Sequence, residues 1–508
     1  MTQRLGQVIL RNTAWNYVAT FVSLGLGLLF IPVFVRYLGD AQYGLWVLVN
    51  AIAGYAGLLD LGLATAVVKS VAEYRVHGAR DQMNEFLSTL CALYLGLCVI
   101  ALAGTAVVII GFGRLFTVSP EQLAVARTLL AIVGSGVALS FPVSLSGGIL
   151  AGYQRYDVLN WLAIGNLVLG MGSILIVLWA GYGIVAVAVA HVGAMAVTHA
   201  IRIYAAFRIH PGLSIHLGRF RFAHVRRIRS YSLFLSLQAG LAQLVLKTDE
   251  IVIGMFLPVA AITPYAVGMK LNNAVRTLGQ QLVSTLFPVA AQLHGERDNA
   301  RLSRLVIDGT RMTLGIGLPT ALSVLVLADP LLRVWMGPGY ETAAVVTGLL
   351  LVHTMGAMVI WVPVTVAQAI GTVKIFTLAT SVEAALNLCL SVVLVRSIGV
   401  VGVALGTALP GVAAMLLIQA PRACRALGIS WGHFVRVALL PPFALAVPVF
   451  VGLYFVNHLI RLDSVPEVVG AGAVSVGLYW ALFLAWGAPR SVVENYRVAL
   501  GWLRRARA

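Results

Sequence analysis

The sequence predicts an all-α polytopic membrane protein of about 14 transmembrane helices, arranged as two six-helix lobes plus two C-terminal helices. Three observations carry this reading: scarce charge, the length of the apolar runs, and a weak internal duplication. Of 508 residues, 60% are hydrophobic and only 10% are charged, with a mean hydropathy of +0.93. A soluble domain carries about 25% charged residues, so this chain lacks the polar surface to cover itself in water and requires lipid as its solvent. Several apolar runs exceed ~18 residues, the length of spanning helices rather than of the short alternating strands of an outer-membrane barrel. The 51 glycines and 18 prolines fall largely inside these runs, where neighbouring helices can satisfy the freed backbone groups.

Taken in order, the first six spans are 14–35, 43–66, 86–111, 124–150, 158–179 and 184–206. The longest basic segment, 207–229, follows. Six more spans are 231–256, 263–290, 312–328, 343–369, 376–396 and 400–420, and the last two are 437–459 and 468–487. The first run is too long for a signal-peptide core and lacks a small-residue cleavage site, so it is expected to be a retained span. Cys91, Cys98, Cys389 and Cys424 lie in or beside apolar runs without a zinc-type pair. They are expected to act as small buried side chains, and no metal is expected.

Charge placement orients the spans. With residue 1 in the cytoplasm and the sides alternating, 26 of the 35 lysines and arginines fall on inner segments and 6 on outer ones. The other three, Lys247, Lys270 and Arg276, lie inside spans. This asymmetry places both termini in the cytoplasm. It accounts for the net charge of +17 as topology and contact with anionic inner-leaflet lipid, so nucleic acid is not needed as a partner. The longest outer loop, 329–342, is too short for a catalytic domain, and no G-x-x-x-x-G-K-[ST] motif is present. The chain is expected not to be an enzyme.

The two six-span blocks resemble each other at an offset near 219 residues. From Gly152 the chain reads GYQRYDVLNWLAIGNLVLGMGSILIVLWAGYGIVAVAVAHV, and from Gly371 it reads GTVKIFTLATSVEAALNLCLSVVLVRSIGVVGVALGTALPGV. Tyr37 and Phe256 pair at the same offset, while Tyr43 and Tyr265 fall three residues out of step. Six spans per block make both repeats face the same way, a two-lobed transporter plan with a central site. The expected divisions are an N-terminal lobe over 1–206, a cytoplasmic linker over 207–229, a C-terminal lobe over 230–429, and two spans with a basic cytoplasmic tail over 430–508.

The segments NTAWNYVATFVSLGLGLLFIPVFVRYLGDAQYGLW and LLDLGLATAVVKSVAEY resemble the start of Wzx-type polysaccharide-export flippases. TDEIVIGMF at 248–256 and ADPLLRVWMGPGY at 328–340 are similar to the signatures of that family's later spans. The resemblance covers most of the chain. It implies the MOP-superfamily, MATE-like fold shared with MATE exporters and the lipid II flippase. It also implies transport of undecaprenyl-diphosphate-linked oligosaccharide from the cytoplasmic to the periplasmic leaflet of a bacterial inner membrane, for O-antigen, capsule or exopolysaccharide. A polysaccharide polymerase and a chain-length regulator are the protein partners it brings to mind, beside membrane lipids.

Charges deep in spans cost several kcal/mol each and usually face a cavity or one another. Asp249 and Lys270 each lie seven residues, or ~10 Å, from the outer end of their spans, at matching depth. Lys247 and Glu250 share a helix face at i and i+3. These four form either a neutral structural cluster or a gating and cation-coupling site. Arg276 lies ~20 Å in, near mid-membrane. It either snorkels or pairs with Asp60, or presents its planar fork of donors to a diphosphate. The candidate diphosphate set is Arg276 with Lys270 and Lys69; the gating or coupling set is Asp249, Glu250, Lys247, Asp60 and Glu383; Gln280 and Gln281 are candidates for the sugar path. Asp60 is equally able to cap or bend the second span, and Glu383 to titrate or to bond Asn387. His191 and His353 read as helix–helix hydrogen bonders. No cofactor is expected; transport would draw on Na⁺, H⁺ or the membrane potential.

The functional reading is an alternating-access flippase. Lipid II or a cationic drug are alternative cargoes, although a basic Arg276 argues against a cation. A membrane-embedded polymerase or ligase, or a non-transporting scaffold, are the readings from other classes.

Overall fold

A computed structural model describes residues 2–60, 62–210, 212–226, 247–371 and 374–489. Most of the seventh expected span (231–246), Arg227 and Arg229 of the linker, and the basic tail from Arg490 onward lie outside the described residues. Among the described residues there are helices and turns but no strand. Ten helical stretches are long and apolar enough to cross a membrane. Two of these, Ser23–Asp60 and Phe376–Ala426, each contain two spans joined at a break. The chain divides into two compact units, Met1–Thr263 and Pro264–Ala508.

In the first unit, α1 (Thr2–Tyr55) is interrupted at Gly39, whose φ of 75° only glycine adopts readily. Phe34 then meets Tyr43 at 5.7 Å and Trp46 at 5.9 Å between ring centroids, so the chain folds back there as the end of span one and the start of span two. A 3₁₀ turn (Ala56–Asp60) and a left-handed Gly62 break the second span, which resumes as α2 (Leu63–His77). The span thus extends well past the expected end at residue 66. Its charged residues Lys69 and Glu73 ended the apolar run, yet Leu63, Ala66, Val67, Val71 and Tyr74 keep a buried stripe at helical spacing.

The remaining helices of this unit are α3 (Arg80–Leu115), α4 (Pro120–Gly152), α5 (Tyr156–Trp179) and α6 (Ile184–Ile209). A reciprocal capping box between Ser119 and Gln122 starts α4. Val67, Val71, Leu87, Leu90, Tyr94 and Ile149 form the core between α2, α3 and α4. Where the ends of α2, α4 and α6 meet, Arg75 lies 5.0 Å over the Tyr153 ring, and the Tyr153 hydroxyl meets His210 Nδ1 at 2.8 Å. The linker is strapped to α3. Asn84 Nδ2 donates to the Gly212 carbonyl at 2.9 Å and Asn84 Oδ1 accepts from the Ser214 N–H at 3.2 Å. The hydroxyls of Ser88 and Thr89 accept from the N–H groups of His216 and Arg221, both at 3.1 Å, and Arg221 pairs with Glu85. The described end of the seventh span, α7 (247–256), completes the unit.

The second unit begins in α8 (Ile262–Ser284), the eighth expected span and a more polar helix, followed by α9 (Leu286–Gly295). The ninth span, expected over 312–328, is the longer α10 (Asn299–Val326), because Asp298 caps its start by accepting from the Arg301 N–H at 2.9 Å. The outer loop expected over 329–342 contains a short amphipathic helix, α11 (Ala328–Met336). Next come α12 (Glu341–Ala369) and α13 (Lys374–Ala413), the latter broken at Ile398 and Gly399. Ser391 Oγ donates to the Val403 carbonyl at 3.4 Å and Asn387 Nδ2 donates to Thr407 Oγ1 at 2.8 Å. The two arms of α13 are therefore an antiparallel hairpin, spans 11 and 12.

The C-terminal helices α14 (Ala420–Ala426), α15 (Trp431–Phe434), α16 (Leu440–Leu459) and α17 (Val465–Leu482) follow. Far from a loose appendix, α16 and α17 share a core with α10 through Leu318, Phe450, Tyr479 and Phe483, and Ser323 Oγ meets Ser475 Oγ at 2.9 Å. Among the cysteines, Cys98 and Cys424 are buried and Cys91 is partly so, but Cys389 is exposed, contrary to expectation; on a lipid-facing helix position an apolar thiol carries no penalty.

Candidate functional site

On α8, Asn272, Arg276 and Gln280 recur at four-residue spacing, which places them on one helical stripe. Asn272 Oδ1 accepts from Thr354 Oγ1 of α12 at 2.7 Å, anchoring the stripe one turn before Arg276. Arg276, Gln280 and Gln281 are half-buried. The opposite constraint comes from Gly279: a Cβ there would lie 2.7 Å from the Trp361 ring of α12. Close packing of α8 on α12 therefore fixes the direction of the stripe.

Glu383, 5% exposed, is the acidic group whose charge acts on Arg276. Its carboxylate lies 3.5 Å from His353 Nε2 of α12 and accepts from Gln419 Nε2 at 3.3 Å. Glu383 therefore has partners from two neighbouring helical segments, and its expected bond to Asn387 is replaced, because Asn387 is turned to Thr407. Its neighbour His353 fits the helix–helix reading. Gln419, missed from the sequence, sits in a π-helical turn (Ala414–Gln419) whose widened backbone no periodicity signals.

In the first unit, Asp60 sits at the break of span two. Its Oδ1 accepts from the Tyr94 hydroxyl at 3.0 Å, and its Oδ2 from the Ala64 N–H at 3.5 Å. The capping role is the one the geometry favours. Asp249 and Glu250 of α7 are buried, at 0% and 5% exposure, with Lys247 half-buried beside them. Next to them, the Tyr55 hydroxyl meets Thr248 Oγ1 at 2.7 Å, tying α7 to the first half of span two. Lys270 is exposed and belongs to the other unit than Asp249. Lys69 is exposed on α2, within a helix rather than in an inner loop, and lines a cavity with Arg202. His191 stands edge-on to Trp46, 5.6 Å between centroids. Among the described residues, no cluster of His, Cys, Asp and Glu could hold a metal ion.

The polysaccharide biosynthesis protein family matches residues 9–294, which is more than half of the chain. The chain belongs to that family. A probable low-salt glycan biosynthesis flippase of Haloferax volcanii is 24% identical over 400 residues, 78% of this chain and 80% of that one. A putative O-antigen transporter of Shigella flexneri is 20% identical over 416 residues, 81% of this chain and 97% of that one. In fold, the family member resembles the lipid II flippase MurJ in its inward closed conformation, with a TM-score of 0.72, 17% identity, and coverage of 92% of this chain and 98% of that one. The resemblance to polysaccharide-export proteins thus holds at the level of the family, with a MurJ-like fold, and the protein is a multi-pass membrane protein of polysaccharide biosynthesis.

Proposed function

We propose that the protein is a flippase, not an enzyme, that moves an undecaprenyl-diphosphate-linked oligosaccharide from the cytoplasmic to the periplasmic leaflet by alternating access. The observation that carries this reading is Arg276: a guanidinium deep in a membrane helix, on one stripe with two amide side chains. A diphosphate headgroup needs such a fork of donors to offset its desolvation, the amides of Gln280 and Gln281 suit sugar hydroxyls, and the polyprenyl tail can stay in lipid. Lys270 and Lys69 add positive charge along the route. Glu383, with His353 and Gln419, is the coupling or gating carboxylate, for H⁺ or Na⁺; Asp249, Glu250 and Lys247 are the matching group in the first unit. The placement of basic residues supports a bacterial inner-membrane orientation with both termini in the cytoplasm. Two negative charges moving outward through 100 mV, at ~2.3 kcal/mol each, gain ~4.6 kcal/mol in an inside-negative cell.

In a flippase-null strain, Arg276→Ala is expected to abolish surface polysaccharide at matched protein level, and Arg276→Lys to retain part of it, because charge survives while the fork is lost. Full export by Arg276→Ala would remove the residue from the mechanism. Rescue of a strain lacking its lipid II flippase, without polysaccharide export, would reassign the cargo.

A further inference from the structure

A cavity of about 550 Å³ opens within the first unit, lined by Thr65, Val68 and Lys69 of α2, Ser144 and Gly147 of α4, and Arg202 of α6. Among its described lining residues two are basic and none is acidic. Arg202 is half-buried, and its Nε is shielded from solvent with no hydrogen-bond partner among the described residues. A buried guanidinium N–H without an acceptor is costly, so this edge of the fork suits an oxygen that no described residue supplies. A Cβ at Gly147 would meet Arg202 at an ordinary 3.7 Å, so a larger side chain grown from this position enters the cavity without first displacing the backbone.

The depth of the cavity indicates which oxygen. Lys69 lies eight residues before the end of α2, Ser144 eight before the end of α4, and Arg202 seven before the end of α6. At ~1.5 Å per residue, all three stand roughly 10–12 Å inside the cytoplasmic helix ends. Helices α3 and α4, with 36 and 33 residues, are about 50 Å long against a hydrocarbon core of ~30 Å, and so project about 10 Å beyond it on each side. The cavity therefore stands at the inner edge of the hydrocarbon core, just below the lipid phosphates of that leaflet and within reach of them for the long Lys69 and Arg202 side chains. Its polar groups are two cations and two hydroxyls, and the rest of its wall is apolar.

We propose that this cavity docks the phosphate of a lipid in the cytoplasmic leaflet. Arg202 and Lys69 bind the phosphate oxygens, and the hydroxyls of Thr65 and Ser144 complete the set. The lipid is the incoming polyprenyl-linked cargo, a choice that rests on the flippase reading; a resident anionic phospholipid offers the same chemistry. The site is made wholly from the first unit and uses residues apart from the α8 stripe.

The test is native mass spectrometry of the delipidated, full-length protein titrated with undecaprenyl phosphate, with phosphatidylglycerol, and with diacylglycerol as the phosphate-free control. The expected result is a saturable undecaprenyl phosphate adduct that Lys69→Gln/Arg202→Gln weakens by at least about tenfold. Should the double variant fail to fold, Gly147→Leu fills the cavity while keeping both charges and is expected to lose the same adduct. A cavity-dependent adduct with phosphatidylglycerol alone would keep the phosphate site but assign it to a resident lipid. Adducts that persist in the folded variants, or that bind diacylglycerol equally, overturn the proposal. Normal export by Arg276→Ala would count against the flippase site on α8 and leave this result standing.

Discussion

Spans two and eight occupy the same place in the two repeats, yet they use their intramembrane charge in opposite ways. In span two, Asp60 sits where the helix breaks, and both of its carboxylate oxygens are taken by the first unit itself, one by the Tyr94 hydroxyl and one by the Ala64 N–H. In span eight the helix runs unbroken to Ser284, and Arg276 stands on a polar stripe under the field of Glu383. An acid engaged by its own backbone is a structural device, whereas a cation beside two amides is what the proposed diphosphate site requires. The difference teaches that a charge in a membrane helix is read by what closes around it, not by its depth.

Replacing the two carboxylates, by alanine and by the isosteric amide, sharpens this contrast. The largest effect is expected for Asp60→Ala, which removes a helix cap worth about 0.5–2 kcal/mol and leaves the Tyr94 hydroxyl buried without its acceptor, at about 1–3 kcal/mol. Folded yield in the membrane should fall, while Asp60→Asn, which keeps an acceptor, should restore most of it. Equal losses in both variants would mean that the charge of Asp60, not its capping geometry, is what matters. Glu383→Gln is expected to behave in the reverse manner: protein level preserved, export lost, because the amide fills the site beside His353 and Gln419 but cannot titrate. Normal export by Glu383→Gln would make Glu383 as structural as Asp60.

The smallest effect concerns the end of the first unit where the linker is strapped to α3. Burial, with Arg80 adding to it, holds the His210 imidazole below the ordinary histidine range. Its folded pKa is depressed, so the unfolded chain binds more protons, and stability is lost as pH falls through about 6.5 and below. Thermal melting of the purified protein should therefore shift down between pH 8 and 6, less so in His210→Gln. Identical shifts in both would show that His210 contributes nothing to this dependence.

Much of the fold was legible in the sequence because apolar run length is set by bilayer thickness, and the hairpins at Gly39 and Gly399 fall between expected spans. What escaped was helix continuing under polar residues. Lys69 and Glu73 ended the apolar run of span two although a buried stripe carried α2 to His77, and Asp298 started α10 far ahead of its apolar stretch. Within the site, Arg276, Gln280 and Glu383 were legible as charges and amides out of place in lipid. Partners were not: Glu383 meets His353 and Gln419 across sequence separations of 30 and 36 residues, and a π-helical turn shifts the register that would have pointed to Gln419. Arg202 looked like one more basic residue at the inner end of a span.

The two arms of α13 meet so closely that side chains are excluded. A Cβ at Gly402 would lie 2.4 Å from the Leu394 carbonyl oxygen and one at Gly406 2.5 Å from Ser391 Oγ, while one at Gly411 would lie 2.3 Å from the His353 ring of α12. Glycines at such spacing let backbones interlock along their length. Spans 11 and 12 are consequently packed as a single strut, and Glu383 is mounted on one arm of it, beside Gly411 of the other. If Glu383 is the coupling carboxylate proposed above, a change of its charge would press on the entire strut, and any tilt of the strut would carry the carboxylate to new surroundings.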